Sequence, residues 1–395
     1  MLPTPASHRI PGKPRIFFPS SRDGTYSTHA SQQWLTLLRG RSRLTNLAVS
    51  LMCSLLAVSL LLNLYVFPLS GADISRSRWR PFTLRPSMRG WDDNATPLQL
   101  DSGIPLSIET TVDRDQRFAE LEHLIMVPGH AIWLGHDASK VEEDDQWILE
   151  PIQKGGSVKT YVKHIREGVE RLRQDPKALL VFSGGATRAP PSPPIPEALS
   201  YLSLAQALTI LPPQTSGDNS PKGPLPLSLR ATTEEFALDS YENLLFAVAR
   251  FKEVTGRWPR KITVVGYGMK RRRFEHLHRA AIGYPLEQFE YVGIDDEGDT
   301  TEHYAGELKY GYTPFLSSPS GCHPPLSIKR QIRNPYSKYH PYHSSCPELV
   351  DLFEWCPPAP STPPAEDGSY IQVFGGEVPW GVKGKGKTRW GKWED

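Results

Sequence analysis

The sequence has few of the residues that build disulfide-rich or metal-dependent domains. It contains four cysteines in 395 residues, and their spacings match no common zinc pattern. The HExxH motif of zinc proteases and the dinucleotide-binding pattern GxGxxG are both absent from the sequence. We therefore assign the cysteines no chemistry, predict no metal site, and identify no cofactor.

The chain also lacks an excess of charge of either sign. It has 45 basic and 43 acidic residues, a formal net charge of +2, and 22% charged residues. A composition this close to balance gives no support to a chain-wide nucleic-acid-binding surface, so nucleic acid is not expected as a partner. Any basic contact surface must be local.

One long uncharged run stands out from this background. It extends from Leu47 to Phe67, about 21 residues, which is enough to cross a bilayer as a helix. We predict one transmembrane helix within 46–69 and a single-pass protein of an intracellular membrane system, with the lipid bilayer as its partner. The side that the rest of the chain faces stays open, because arginines flank both ends of the run and Asn94 begins a glycosylation sequon.

The 38 prolines are concentrated outside the segments that can build a core. One sizeable globular domain is therefore the favoured count, with proline-rich stretches as tails, linkers or insertions. The predicted organisation is a disordered tail at 1–45, a linker at 70–115, a globular domain at 116–312 with insertions at 189–196 and 211–229, and a Pro/Ser-rich extension at 313–395.

Apolar runs of strand length alternate with stretches of helical periodicity in the globular part. Strands are predicted at 123–129, 177–182, 261–265 and 289–292, and helices at 158–172, 197–210, 240–255, 270–282 and 300–309. This alternation is typical of βαβ units. It predicts an α/β fold, a three-layer α/β/α sandwich with a Rossmann-like, mostly parallel sheet.

Polar loops follow the predicted strands or open the predicted helices. In a parallel sheet, such loops meet in a crevice outside the carboxyl ends of the strands. We expect Ser183, Gly184 and Gly185 to cradle an anion, although a tight turn that needs glycine explains the same residues equally well. The predicted ligand-binding residues are Ser183, Gly184, Gly185, Arg188, Glu235, Ser240, Gly266, Lys270 and Arg273.

Cationic side chains after the third predicted strand are expected to neutralise this anion. Lys270 and Arg273 lie where a strand leads into a helix, an arrangement by which α/β proteins hold phosphate or carboxylate groups. The alternative is a solvated basic run, or one that faces anionic lipid. We favour at least one of the cations in the run 270–273 reaching the ligand.

Three residues are candidates for a catalytic role. Glu242 and Asn243 are placed to orient a water molecule or a hydroxyl group, and His130 is expected to line the crevice. The alternative for the segment 239–243 is helix capping, with the carboxylates stabilising the positive end of a helix. A metal at His130 is disfavoured, because its spacing from His136 and Asp137 fits no standard site.

The order of these segments resembles the SanA/ElyC/YdcF-like family, a membrane-associated group defined by domain of unknown function 218. The resemblance covers about residues 120–310 and rests on Val127-Pro128-Gly129, on Ser183-Gly184-Gly185, and on Asp239-Ser240-Tyr241-Glu242-Asn243, which is similar to the family's Asn-Thr-x-Glu-Asn. Lys270 and Arg273 stand where the family commonly has a histidine followed by an arginine. The resemblance implies a Rossmann-like sheet, a membrane setting and, in some members, a nucleotide-like ligand.

Two functions are compatible with these patterns. The first is a membrane-anchored domain that binds or processes an anionic small molecule, such as a phosphorylated compound, a nucleotide or a sugar-lipid, by hydrolysis or group transfer. The second is a non-catalytic membrane adaptor that keeps the fold while its Pro-rich tails recruit protein partners. No nucleophile and base pair can be recognised from spacing alone, so both remain open.

Overall fold

The computed structural model describes residues 49–61, 111, 115–212, 223, 225–360, 370–381 and 388–392. The chain divides into two units, residues 1–95 and 96–395. In the first unit, residues 49–61 form a helix with exposed side chains. Among the described helices, none combines the length and the apolarity that a membrane span requires. The remainder of the predicted span, the tail at 1–45 and Asn94 lie outside the described residues.

The second unit is built on a five-stranded sheet in which every pairing is parallel. The strand order is β5-β4-β1-β6-β7, so β1 lies at the centre. Two small antiparallel pairs, β2 with β3 and β8 with β9, lie apart from it. The strands are β1 His123–Pro128, β2 Ile132–Trp133, β3 Trp147–Ile148, β4 Ala178–Ser183, β5 Ala231–Glu234, β6 Lys261–Gly266, β7 Phe289–Gly293, β8 Tyr370–Phe374 and β9 Thr388–Lys392.

Helices cover both faces of the sheet, which confirms the α/β prediction. Successive residues of β1 point to opposite faces: Leu124 and Met126 join a core with α3, whereas Ile125 and Val127 join a core with α1 and α2. The helices are α1 Ser157–Gln174, α2 Glu197–Ala207, α3 Ser240–Thr255, α4 Arg279–Ala281, α5 Thr301–Glu307, α6 Thr313–Ser317, α7 Leu326–Ile332, α8 Tyr342–Ser345 and α9 Val350–Phe353.

Several elements differ from the sequence prediction. Strand β5 was not predicted. The helix expected at 270–282 is instead a short 3₁₀ turn at Gly268–Lys270, a π-helical segment at Arg273–His278 and the short α4. The wide π turn buries Arg273, Phe274, Leu277 and His278 together against the rest of the domain.

The extension after residue 312 is folded where it is described. Tyr342, Leu349 and Trp355 are buried in the core that α3 shares with the sheet. Cys322 and Cys356 form a disulfide that closes this segment, so the prediction that the cysteines carry no chemistry was wrong for this pair. The globular unit therefore extends well past the predicted boundary.

Candidate functional site

The crevice predicted at the strand ends lies where the strand order reverses. From β1 the chain runs outward through β4 to β5, then returns to the other side of β1 to form β6 and β7. In sheets of this type the loops on either side of that reversal diverge and leave an opening at the carboxyl ends of the two central strands. His130 follows β1 and Lys270 follows β6, so both lie at this opening.

One ring nitrogen of His130 lacks a hydrogen-bond partner in the part of the chain that the structure describes. Its Nδ1 is 3.4 Å from the Lys270 Nζ, while its Nε2 is buried and has no hydrogen-bond partner among the described residues. Its ring packs against Tyr161 and Tyr267, with centroids 5.4 and 5.3 Å away. Burial, together with the positive charge of Lys270, holds the pKa of His130 well below its usual value, so the ring is neutral.

Lys270 has no ion-pair partner in the described part of the chain. No described carboxylate lies within ion-pair distance of its ammonium group, which instead lies 5.3 Å from the centre of the Tyr267 ring. Burial, with the positive charge of Arg273 adding to it, lowers the pKa of Lys270 to about 7. The residue as a whole is half-buried.

Arg273 is paired rather than free. Its Nε lies 2.8 Å from the Glu307 Oε1, and its Nη2 donates to the Glu307 Oε2 at 3.0 Å. Both side chains are about nine-tenths buried. Arg273 is close enough to affect the pKa of Lys270, but its own charge is largely compensated by Glu307.

Two side chains hold the backbone of His130 in place. Arg188 donates to the His130 carbonyl oxygen at 3.1 Å and Gln153 donates to the same oxygen at 2.7 Å. Arg188 is itself ion-paired with Glu150. Arg188 thus lies at the predicted edge, where it positions His130.

Ser183 is part of a buried polar network, not an open ligand site. Its hydroxyl lies 2.7 Å from the Glu234 Oε2 and 2.9 Å from the Asn243 Oδ1, and the residue has no exposed surface. Burial raises the pKa of Glu234 to about 7. When Glu234 is protonated it can donate to the Ser183 hydroxyl, which then donates to Asn243, so every oxygen in the row is satisfied.

The glycines around Ser183 allow a helix to approach the strand ends. A Cβ on Gly129 would lie 2.5 Å from the Glu197 Cβ, and one on Gly184, where φ is +154°, would lie 3.1 Å from it. The Gly184 and Gly185 N–H groups donate to the carbonyl oxygens of Glu234 and Ala237. Because these donors are already used, the structure favours the tight-turn alternative over the predicted anion cradle.

The residues at the start of α3 cap the helix, which is the alternative that the sequence analysis gave for the segment 239–243. Asp239 accepts from the N–H groups of Tyr241 and Glu242, and its other oxygen is 2.5 Å from the Arg330 Nε. Glu242 accepts from the Leu238 N–H at 2.8 Å and lies 3.2 Å from Arg330. Both Glu242 oxygens therefore contact protein groups, and the Asn243 Oδ1 accepts from the Ser183 hydroxyl.

The remaining predicted ligand residues face protein groups. Ser240 lies 2.8 Å from the His278 Nε2, and Glu235 accepts from the Thr233 hydroxyl. Gly266 ends β6, and its carbonyl oxygen accepts from the Ile294 N–H.

The extension carries two further cations, Lys329 and Arg333, which the sequence analysis did not single out. Arg333 follows α7 and donates to the Leu238 carbonyl oxygen at 3.1 Å, and Lys329 is on the same helix. The positive charge of Arg333 contributes to the low pKa of both Lys270 and Lys329, after burial in each case. The sequence analysis looked for polar residues that follow predicted strands, and neither of these two residues follows a strand.

The parallel sheet, its strand order and the helices on both faces define a Rossmann-like α/β protein, with His130 and Lys270 at the reversal of strand order. The chain is 29% identical over 264 residues to the uncharacterized protein YOR238W of Saccharomyces cerevisiae, covering 56% of this chain and 87% of the yeast protein. No family model matches the chain, and no solved structure matches it significantly.

Proposed function

We propose that the crevice between the ends of β1 and β6 binds an anionic small molecule. The observation that carries this proposal is the pair formed by His130 and Lys270. The buried Nε2 of the ring has no described partner, and its Nδ1 lies 3.4 Å from an ammonium group that has no described ion-pair partner. Buried polar groups are normally satisfied by a partner. An anion that accepts hydrogen bonds from both groups would be that partner.

The contact between the two residues determines which proton His130 offers. The Lys270 ammonium can only donate, so in its charged form it donates to the His130 Nδ1. The neutral ring then carries its proton on Nε2, the buried atom that has no hydrogen-bond partner among the described residues. His130 therefore acts as a hydrogen-bond donor to the bound anion, while Lys270 supplies the charge.

Hydrolysis or group transfer is the reaction class that fits such a site. A pKa of about 7 suits Lys270 to exchange a proton with a ligand near neutral pH. Ser183 is not proposed as a nucleophile, because it has no exposed surface and bonds to Glu234. Chemistry in this crevice would then depend on His130 and Lys270.

A thermal-shift panel of nucleotides, sugar phosphates and S-adenosylmethionine tests the proposal on the full chain. We expect at least one phosphorylated compound to stabilise the protein, and Lys270→Met and His130→Phe to remove that stabilisation. Arg260→Gln is the matched control, since Arg260 precedes β6 at the opposite edge of the sheet and is 74% exposed. Stabilisation by no compound would contradict the proposal and favour the adaptor.

We also propose, from the sequence alone, that the run from Leu47 to Phe67 anchors the chain in a bilayer. The absence of charge over about 21 residues supports this. Carbonate extraction of membranes tests it: an anchored chain stays in the pellet, whereas release into the supernatant would contradict the proposal. A glycosidase treatment with Asn94→Gln as control reports on the side of the membrane.

A further inference from the structure

Helix α1 brings a second buried histidine to the crevice. The His164 Nε2 lies 2.8 Å from the carbonyl oxygen of Ile294, the residue that follows β7. The Ile294 N–H in turn donates to the Gly266 carbonyl oxygen at the end of β6. His164 is therefore attached to the carboxyl ends of the strands, the same edge of the sheet at which His130 lies.

The rings of His130 and His164 contact each other and share a third ring. Their centroids lie 5.9 Å apart, and they lie 5.3 and 5.0 Å from the centroid of the Tyr267 ring. Aromatic rings that pack against one another have centroids about 4.5–7 Å apart. The two histidines therefore belong to one site.

The hydrogen bond to Ile294 determines the tautomer of His164. A carbonyl oxygen can only accept, so the His164 Nε2 carries the proton and donates it. Burial lowers the pKa of His164 to about 4, so the ring is neutral near pH 7 and its Nδ1 is an unprotonated acceptor. This Nδ1 is buried and has no hydrogen-bond partner among the described residues.

The two unpartnered nitrogens are complementary. His130 offers the N–H of its Nε2, whereas His164 offers a lone pair on its Nδ1. Two hydroxyl groups of the crevice wall do not supply the missing donor, because those of Ser157 and Tyr267 both donate to Asp296, at 3.1 and 3.0 Å. A buried donor and a buried acceptor therefore lie side by side, and each lacks a described partner.

A neighbouring donor and acceptor select the chemistry of the ligand. An anionic oxygen accepts from the His130 N–H but has no hydrogen to give to His164. A hydroxyl group has one hydrogen to donate. A site built to bind a hydroxyl group discriminates against analogues that lack it, because a buried polar group is then left unpaired.

Building on the proposed function, we propose that His164 is a further ligand-binding residue, and that the ligand presents a hydroxyl hydrogen to its Nδ1 beside the anionic oxygen that His130 and Lys270 bind. The hydrogen comes either from an alcohol group next to the anion, as in a sugar phosphate, or from the P–OH group of a hydrogen phosphate. An anion that has neither group is a poor ligand.

Calorimetry on the full chain at pH 6.5 and constant ionic strength, with two pairs of anions, tests the selectivity. Glycerol 3-phosphate and propyl phosphate share the phosphate group, but only the first has alcohol groups. Inorganic phosphate and sulfate share a tetrahedral shape, but only phosphate keeps an O–H bond at this pH. We expect the hydroxyl-bearing member of at least one pair to bind about tenfold more tightly, as for one hydrogen bond to an otherwise unpaired group.

The pair that shows the preference identifies the source of the hydrogen. A preference for glycerol 3-phosphate assigns it to an alcohol group, and a preference for phosphate assigns it to the P–OH group. Sulfate carries the larger negative charge at pH 6.5, so tighter binding of phosphate does not arise from charge alone.

The variant His164→Gln tests the residue itself. A glutamine amide can still donate to the Ile294 carbonyl oxygen, but it places no acceptor at the position of the histidine Nδ1. We expect this variant to bind both members of the discriminated pair equally. Arg166→Gln is the matched control on the exposed side of α1 and should bind as the unmodified chain does. Unfolding temperatures without ligand show whether each variant keeps the fold.

The outcomes separate this inference from the function on which it rests. If the anions bind to the unmodified chain but neither pair shows a preference, the crevice binds anions and the inference about His164 is overturned, whatever the variant does. A preference that His164→Gln retains in full also overturns it. If none of the four anions binds, the proposed function fails as well.

Discussion

Replacing Glu234 with glutamine should raise the free energy of unfolding at pH values above about 7, where the buried carboxylate would otherwise be charged. Glu234 is 1% exposed and receives hydrogen bonds from the Ser183 hydroxyl, the Phe236 N–H and the Tyr342 hydroxyl. Glutamine has nearly the same shape and cannot ionise. It therefore removes the buried charge while keeping an oxygen that accepts from the Phe236 N–H.

The size of the change in unfolding free energy follows from the pKa of Glu234. Burial raises the pKa of Glu234 from 4.5 to about 7, which corresponds to about 3 kcal/mol of unfolding free energy. The folded state holds the proton more tightly than the unfolded state. The stabilising contribution is therefore complete below pH about 4.5 and is lost as the pH rises through about 7.

Urea denaturation of the chain and of Glu234→Gln at pH 5, 6, 7 and 8 measures this effect. The two proteins should have similar unfolding free energies at pH 5, and the variant should become more stable by about 2–3 kcal/mol at pH 8. Glu287→Gln is the control, because Glu287 is exposed and its replacement should leave the pH dependence unchanged. A difference between Glu234→Gln and the unmodified chain that does not vary with pH would refute the reasoning.

Three further predictions concern the extension and the start of α3. Tyr342→Phe should lower the unfolding free energy at pH 5 by about 1 kcal/mol, because the hydroxyl that donates to Glu234 at 3.2 Å is lost; urea denaturation measures it, and no change would contradict the contact. Replacing Cys322 and Cys356 by serine should cost about 4 kcal/mol for a loop of 34 residues, and an unfolding free energy equal to that of the unmodified chain would exclude the disulfide. Asp239→Ala should cost at least about 1–2 kcal/mol through the lost helix cap, and Asp239→Asn should recover the part due to capping.

The sequence predicted the elements that have strong local signals. Helix α3 begins and ends at the predicted residues, Ser240 and Thr255, because Asp239 caps its start and Gly256 adopts the left-handed conformation at its end. Strand β5 was missed because it has four residues, of which only Glu234 is buried, and no apolar pattern marks it. The folded extension was missed because its core contacts come from scattered aromatic residues without periodicity.

The same contrast holds for the candidate site. His130 and Lys270 were predicted because both follow strands, and the parallel sheet brings strand ends together. Glu242 and Ser183 were predicted as site residues from residue type and position, yet their polar atoms are used within the protein. The place of Arg333 beside Leu238 could not be predicted, because it depends on how α7 packs against α3.

The contact between Tyr342 and Glu234 joins residues 108 positions apart in the sequence. During synthesis, Glu234 and the apolar side of α3 leave the ribosome well before the residues that cover them. Domains generally fold as units, and apolar surface exposed in the meantime is prone to aggregation. The nascent chain is thus exposed to chaperones for the whole time needed to translate those last residues, and a premature stop within them would release a protein whose sheet is complete but whose core is open on one side.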